Sequence, residues 1–301
     1  MLFSKITHTH KLTVLFLILF STCSFAQNEL THDSYWIERE NNNAIIGVKN
    51  CYIRNAPSIN AKLLDSLQMG KEVLILKSTE NKLKIKGINV SWIQIQYTNK
   101  SGETQTGFLW KGFLALGFQK NKQNTFLTTI DKIETITKNN FEQEMFSISA
   151  KILDQDNNLL YQKTIQKNIT DSYYFEDKTI GGLGLKNISE IYRISFSGQA
   201  CGIPSLYYYF GWDNKKFLEL PEKYSVGDAG IYYYYENFIF PKESGGKPDL
   251  IIKKVKQAEG NNESKEYYSF NVSEWSETYK WNGEKASFIS KSKIKKYIEK
   301  D

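Results

Sequence analysis

The chain carries only three histidines, His8, His10 and His32, and that scarcity restricts the chemistry open to it. A Ser or Cys nucleophile needs an imidazole to take its proton. His8 and His10 belong to a stretch that reads as a removable leader, which leaves His32 alone in polar sequence. A hydrolytic zinc centre needs two or three histidines, so neither a metal site nor a cofactor is expected. Cys201 has no base to activate it. Cys51 and Cys201 either remain thiols or join across the chain as a disulfide in an oxidising compartment. Carboxylate chemistry is the remaining route, and Glu236, Asp249 and Glu274 lie among aromatic residues, as a glycan cleft would require. Each also reads as the wet face of a strand or a loop, and no catalytic residue is assigned. Asp154-x-Asp156-x-Asn158 opens like a calcium loop, but Leu159 and Ile165 stand where a glycine and a bidentate glutamate are needed. That segment is expected to be a hairpin turn.

The first residues set the expected compartment. Lys5 and Lys11 precede and enter an apolar run over Leu12 to Phe20, and Ser24-Phe25-Ala26 ends it with a small residue. This reads as a signal peptide cleaved between Ala26 and Gln27, too short to span a bilayer. Lipidation of Cys23 is the alternative. A periplasmic or secreted protein without a transmembrane anchor in its mature chain is expected. Removing Lys5 and Lys11 takes the formal charge from +6 to +4. A mild, dispersed positive charge favours anionic partners weakly and argues against nucleic acid.

Nineteen tyrosines and eighteen phenylalanines against five prolines favour strands, so the fold class is expected to be all-β. Residues 27–43 read as a loosely packed polar leader, 44–117 as a first module able to fold alone, and 118–125 as a polar connector. Residues 126–290 read as a larger β-rich domain and 291–301 as a basic tail. Phe146 to Ile152 alternates, Asp154 to Asn158 turns and Leu159 to Ile165 returns, which predicts a hairpin. Tyr207 to Phe210 and Tyr232 to Tyr235 cannot point to one side of a strand. Either the sheet is buried on both faces or part of each run is exposed as flat amphipathic surface.

Four motifs within 51–114 carry a family resemblance. Cys51 to Ser58 reads C-Y-I-R-N-A-P-S, Leu63 to Leu76 contains a Met69-Gly70-Lys71 turn, Ser91 to Tyr97 reads S-W-I-Q-I-Q-Y, and Gly107 to Leu114 reads G-F-L-W-K-G-F-L. Their order resembles the bacterial SH3 (SH3b) family, a small barrel, over roughly a quarter of the chain. Ala56 departs from the family's usual glycine, and 81–89 is an insertion before Trp92 that lengthens one hairpin. The resemblance implies a ligand groove for peptide or peptidoglycan stems near Tyr52, Asn55, Trp92 and Trp110. The same aromatics also serve as core in a barrel this small. Arg54 is expected to brace the turn containing Pro57.

The C-terminal part has a faint internal echo. Tyr209 to Phe217 and Tyr279 to Ala286 each combine an aromatic strand, a Trp, an Asx turn and a return. With Ser197 to Gly202 before a tyrosine-rich strand, the order resembles periplasmic domains related to FG-GAP propeller repeats. In a calcium loop of that family Pro241, Glu243 and Gly245 replace the expected ligands, which puts the metal in doubt. A propeller-like domain and a β-sandwich are both open. The resulting expectation is a non-enzymatic envelope binding protein whose partner is a cell-wall glycan or peptide. The alternatives are binding or inhibition of an envelope protein and, less favoured, a carboxylate-dependent glycan enzyme. Because His32 has no catalytic partner in sequence, its replacement is expected to be silent.

Overall fold

A computed structural model describes residues 30–36, 40–198, 200–260 and 269–300. The signal-peptide and Cys23 readings lie outside these residues. Thr31–Asp301 forms one compact unit, and its regular structure is almost entirely strand, so the chain is all-β. Three antiparallel sheets make it up.

The first sheet holds β1 (Asn43–Ile45), β2 (Asn50–Arg54), β3 (Leu63–Gln68), β4 (Glu72–Ile85), β5 (Ile88–Thr98) and β6 (Thr104–Trp110), in the order β1-β4-β5-β6-β2-β3. All four motif segments fall in it. Period-two alternation turns Cys51 and Ile53 inward and Tyr52 outward. The 81–89 insertion extends the β4–β5 hairpin, which closes at Lys86 and Gly87 with φ of 51° and 82°. Left-handed backbone at both positions matches the right-handed strand twist. Arg54 donates to Ala61 O at 2.6 Å across the turn that contains Pro57.

The second sheet runs β10-β9-β8-β7, from β7 (Gly117–Lys120), β8 (Thr125–Lys138), β9 (Phe141–Leu153) and β10 (Leu159–Lys167). The supposed connector 118–125 is thus a tight hairpin, because Gly117 to Lys120 pair with Thr128 to Thr125. The alternation seen in Phe146 to Ile152 is real, yet both faces are buried. The polar face satisfies itself: Asp131 accepts from Ser149 at 2.6 Å and pairs with Lys151 at 3.3 Å, and Lys151 also donates to Gly47 O at 2.9 Å. A Cβ on Gly47 would meet Thr129 Cγ2 at 2.4 Å, so only glycine permits this approach.

The third sheet contains β11 (Tyr174–Thr179), β12 (Glu190–Ser197), β13 (Ser205–Trp212), β14 (Phe217–Glu219), β15 (Lys223–Asp228), β16 (Tyr232–Ile239), β17 (Leu250–Gly260), β18 (Ser269–Trp281), β19 (Ala286–Lys291) and β20 (Lys295–Lys300). It is one ten-stranded antiparallel sheet, β11-β12-β13-β15-β16-β17-β18-β19, with β14 beside β13 and β20 beside β18. A continuous sheet replaces the separate blades of a propeller. The internal echo survives as local structure. Asp213 Oδ1 accepts from Lys215 N and Lys216 N at 2.8 and 2.7 Å, and Asn282 Oδ1 from Glu284 N and Lys285 N at 2.9 and 2.8 Å. Asn99, Asn121 and Asp154 close their hairpins in the same way, because Asx side chains hydrogen-bond the backbone just ahead of them. The segment 295–300, expected to be a tail, is strand β20.

The stretch expected to be a loose leader sends three side chains into the interior, although its other described residues, Asp33 apart, are exposed. His32, Tyr35 and Trp36 are buried. His32 Nδ1 accepts from Asn89 N at 3.0 Å, which places the ring proton on Nε2, facing Glu144 Oε1 at 3.1 Å. Tyr35 donates to Ile169 O and Thr170 O, both at 3.0 Å, and Trp36 Nε1 donates to Leu114 O at 3.1 Å. Asp33 takes the Lys111 ammonium at 2.6 Å, Ser91 N and Oγ at 3.0 Å and the Thr31 hydroxyl at 2.7 Å. This clasp joins the first sheet to the second and to the segment entering the third. One apolar core accordingly runs from Trp36, Ile93 and Leu109 through Phe126 and Phe146 to Phe196 and Phe217.

Residues 44–117 expressed alone lose the clasp and the apolar cover from β8 and β9, and are expected to give a poorly dispersed amide spectrum; native-like dispersion would refute the shared core. Burial alone would raise the Asp33 carboxyl, but the Lys111, Thr31 and Ser91 hydrogen bonds outweigh it and hold it at about 2, below its ordinary 3.8. A depressed carboxyl contributes stability that is complete above the unfolded value and is lost as pH falls through the folded one. Chemical denaturation between pH 5 and about pH 2 is therefore expected to show a loss that Asp33→Asn abolishes. His32→Ala, expected from sequence to be silent, removes the ring that accepts from Asn89 N and faces Glu144 and is expected to cost about 1–3 kcal/mol in the same assay.

Candidate functional site

The four residues placed at a ligand groove separate in the structure. Trp92 and Trp110 are cross-strand partners on β5 and β6, each 3 % exposed, with Trp110 Nε1 donating to Leu83 O at 2.8 Å. They are core. Tyr52 and Asn55 are exposed, Tyr52 pointing away from buried Cys51 and Ile53, and the four share no surface. Cys51 is a buried thiol and Cys201 an exposed one, unpaired with each other. The Asp154–Asn158 loop is a hairpin turn whose carboxylate is spent on Asp156 N and Asn158 N.

The three candidate acids also diverge. Glu236 and Glu274 lie on opposite faces of the third sheet, since Glu236 is in register with Val255 and Trp275. Asp249 sits in the exposed turn before β17 with φ of 57°. Glu236 is 6 % exposed and fully engaged: it accepts from Tyr224 N at 2.9 Å and the Tyr234 hydroxyl at 2.8 Å, and pairs with Lys253 at 3.3 Å. Lys253 also lies 3.9 Å from Glu277, which accepts from the Tyr279 hydroxyl at 3.0 Å. These carboxylates are held by neighbours of the same sheet, which they brace.

The open face of β15 to β18 differs in kind. Tyr233 and Tyr235, alternate residues on β16, stack with ring centroids 5.1 Å apart and planes 27° from parallel. Tyr235 is 48 % exposed, and it lines two neighbouring depressions. One, of about 560 Å³, is also walled by Ser205, Ser225, Gly227 and Phe270. The other, of about 500 Å³, is walled by Asn237, Lys254, Glu274, Lys293 and Lys295. Antiparallel register places them together, with Ser205, Ser225 and Tyr235 in one row and Tyr235, Lys256 and Glu274 in another. The Tyr233 hydroxyl donates to Glu299, which also takes Lys256 at 2.7 Å, while Lys256 lies 5.3 Å from the Tyr233 ring centroid. That Glu299 contact raises Lys256 above its ordinary range. Glu274 accepts the Tyr297 hydroxyl at 2.6 Å. Both glutamates on this face are thus occupied by tyrosine hydroxyls, and lysines border it.

This arrangement offers a flat aromatic step between two polar hollows. It suits ring-shaped or planar groups carrying hydroxyls and negative charge. The sequence had singled out the Tyr232 to Tyr235 run without telling which side is open; burial of Glu236 on the opposite side decides it.

No protein-family model matches this chain, and no curated protein or solved structure matches it either.

Glu236→Ala is expected to destabilise the fold by about 3–5 kcal/mol, because it leaves Lys253 buried without its partner. Glu236→Ala combined with Lys253→Met is expected to recover much of that loss in urea denaturation. An unchanged midpoint in the single variant would show that the pair does not brace the sheet.

Proposed function

We propose that the protein is a non-enzymatic, exported envelope-binding protein that holds a cell-wall glycan or its attached peptide on the Tyr233–Tyr235 face. The observation that carries this reading is the stacked, solvent-open tyrosine pair between two depressions edged by lysine. The flat face of an aromatic ring packs against the C–H face of a sugar, while its hydroxyl and its neighbours supply hydrogen bonds. Two features support a binding role over turnover: His32, the one histidine among the described residues, is locked into the clasp, and Glu236, Glu274 and Asp249 do not converge. The first sheet, with its SH3b-like motif order, serves in this reading as the second module of the same envelope protein.

A protein partner is the competing reading, and a specific feature favours it. Phe288 and Ile289 on β19, with Ile298 on β20, are each more than half exposed along one edge of the third sheet. Exposed apolar edge strands are templates for pairing with another chain.

Tyr235→Ala removes the most exposed ring of the stack with little effect on the core. Retention on purified sacculi is expected to fall roughly tenfold, in line with loss of a hot-spot aromatic, whereas Tyr235→Phe retains most of it. Wild-type retention in Tyr235→Ala, or recovery of envelope proteins with no retention on sacculi, overturns the glycan assignment.

A further inference from the structure

The strand row beside the tyrosine pair holds a second feature, built from positive charge. Arg193 on β12 and Lys223 on β15 both converge on the ring of Tyr207, on β13 between them. The Arg193 Cζ lies 5.7 Å and the Lys223 Nζ 4.5 Å from the ring centroid. Their charges are answered only in part: Asp177 acts on Arg193 and Glu236 on Lys223 through space. Arg193 meets Glu176 Oε2 at 3.7 Å, on a side chain 63 % exposed. Its Nε is buried and has no hydrogen-bond acceptor among the described residues. Lys223 reaches only the neutral Asn237 Oδ1, at 3.4 Å.

We infer that Arg193 and Lys223, arranged around Tyr207, form an oxyanion subsite that takes a carboxylate or phosphate group of the ligand. The chemistry of the two donors is complementary. A guanidinium presents several N–H groups in a fixed plane suited to two oxygens, while an ammonium adds a compact point charge. Tyr207 keeps the two cations positioned without neutralising either. Burial, followed by the neighbouring Arg193 charge, lowers the Lys223 ammonium below its ordinary value, and the more distant Glu236 opposes this. An arriving anion relieves the same repulsion.

The location gives the subsite its meaning. Tyr207 pairs with Lys223 in register, and Ser205 with Ser225. These serines wall the larger depression beside Tyr235. Alternate residues share a strand face and lie about 7 Å apart. Tyr207 and Lys223 are therefore one short step along β13 and β15 from the row that holds Tyr235, and Arg193, opposite Tyr209, is a further step away, so an extended ligand with a ring on Tyr235 reaches the Lys223 side of the subsite first. This extends the envelope-binding reading by specifying an acidic ligand, although the subsite itself stands on the geometry of Arg193, Tyr207 and Lys223.

The test is titration of the full chain with inorganic phosphate and, separately, acetate, at ionic strength held constant with sodium chloride. The readouts are the Arg193 Nε–H and Lys223 Nζ resonances. Saturable shifts at both residues are expected, and the tighter of the two anions identifies phosphate or carboxylate as the preferred group. Arg193→Gln and Lys223→Gln are each expected to weaken binding at least tenfold, whereas Phe141→Ala, at an exposed position on the second sheet, leaves it within twofold. Lys223 lies at the half-exposed edge of its strand, so the Lys223→Gln variant serves if Arg193→Gln fails to fold. Absence of saturation, or equal shifts in the wild type and Lys223→Gln, overturns the subsite. Anion binding without retention on sacculi would remove the envelope assignment and leave the subsite standing; retention on sacculi with no anion response would do the reverse.

Discussion

The Asp33–Lys111 ion pair is the contact on which the rest of the architecture leans. It lies between a segment outside any sheet and the end of the first sheet, with Lys111 almost wholly buried. A buried pair contributes little net stability on its own, because desolvating both charges offsets their attraction, but removing one partner is costly. Its main effect here is placement. With Asp33 held, His32 reaches Asn89 and Glu144, Tyr35 reaches Ile169 and Thr170, and Trp36 closes over Leu114. Aromatic bulk and backbone acceptors from three separate regions then share one interior. The first sheet is half a structure without this insert.

The third sheet puts its two sides to different uses, and the Glu236–Lys253 pair separates them. Satisfying a carboxylate with an amide, a hydroxyl and an ammonium commits that side of β16 to the interior. Alternation then forces Tyr233 and Tyr235 to the other side. The stacked tyrosines are thus a by-product of how the opposite face is neutralised. Lysines dominate the open side by number: Glu299 is paired with Lys256, and Glu274 alone faces Lys254, Lys293 and Lys295, so the local field is positive.

Local features were legible in the sequence. Asx residues ahead of return strands mark the hairpins at Asp154, Asp213 and Asn282, and the Trp-Asx echo proved to be one hairpin used twice. The long β4–β5 hairpin was visible as an insertion. What failed were inferences from polarity. The 27–43 stretch looked loose because His32 and Asp33 are polar, although specific distant partners bury them. The 118–125 stretch looked like a connector because its side chains suit a tight turn as well as a linker. Trp92 was placed at a groove on alternation with Ile93 and Ile95, but β5 is covered on both faces, so alternation there separates two interiors. The tyrosine runs announced aromatic surface without its side, and the Arg193–Lys223 pair was invisible because it comes together only through strand register across β12, β13 and β15.

The clasp also has a consequence for the order of events along the chain. Tyr35 finds its acceptor at Thr170, 135 residues away, and His32 meets Glu144 across 112. Closing loops of that length carries an entropic cost with no short-range contact to offset it, whereas the meander from β15 to β19 is assembled from neighbours. A chain threaded N-terminus first offers the clasp residues earliest and completes them last. Trp36 meets its acceptor once Leu114 is free, but Tyr35 has none until about residue 170 has followed.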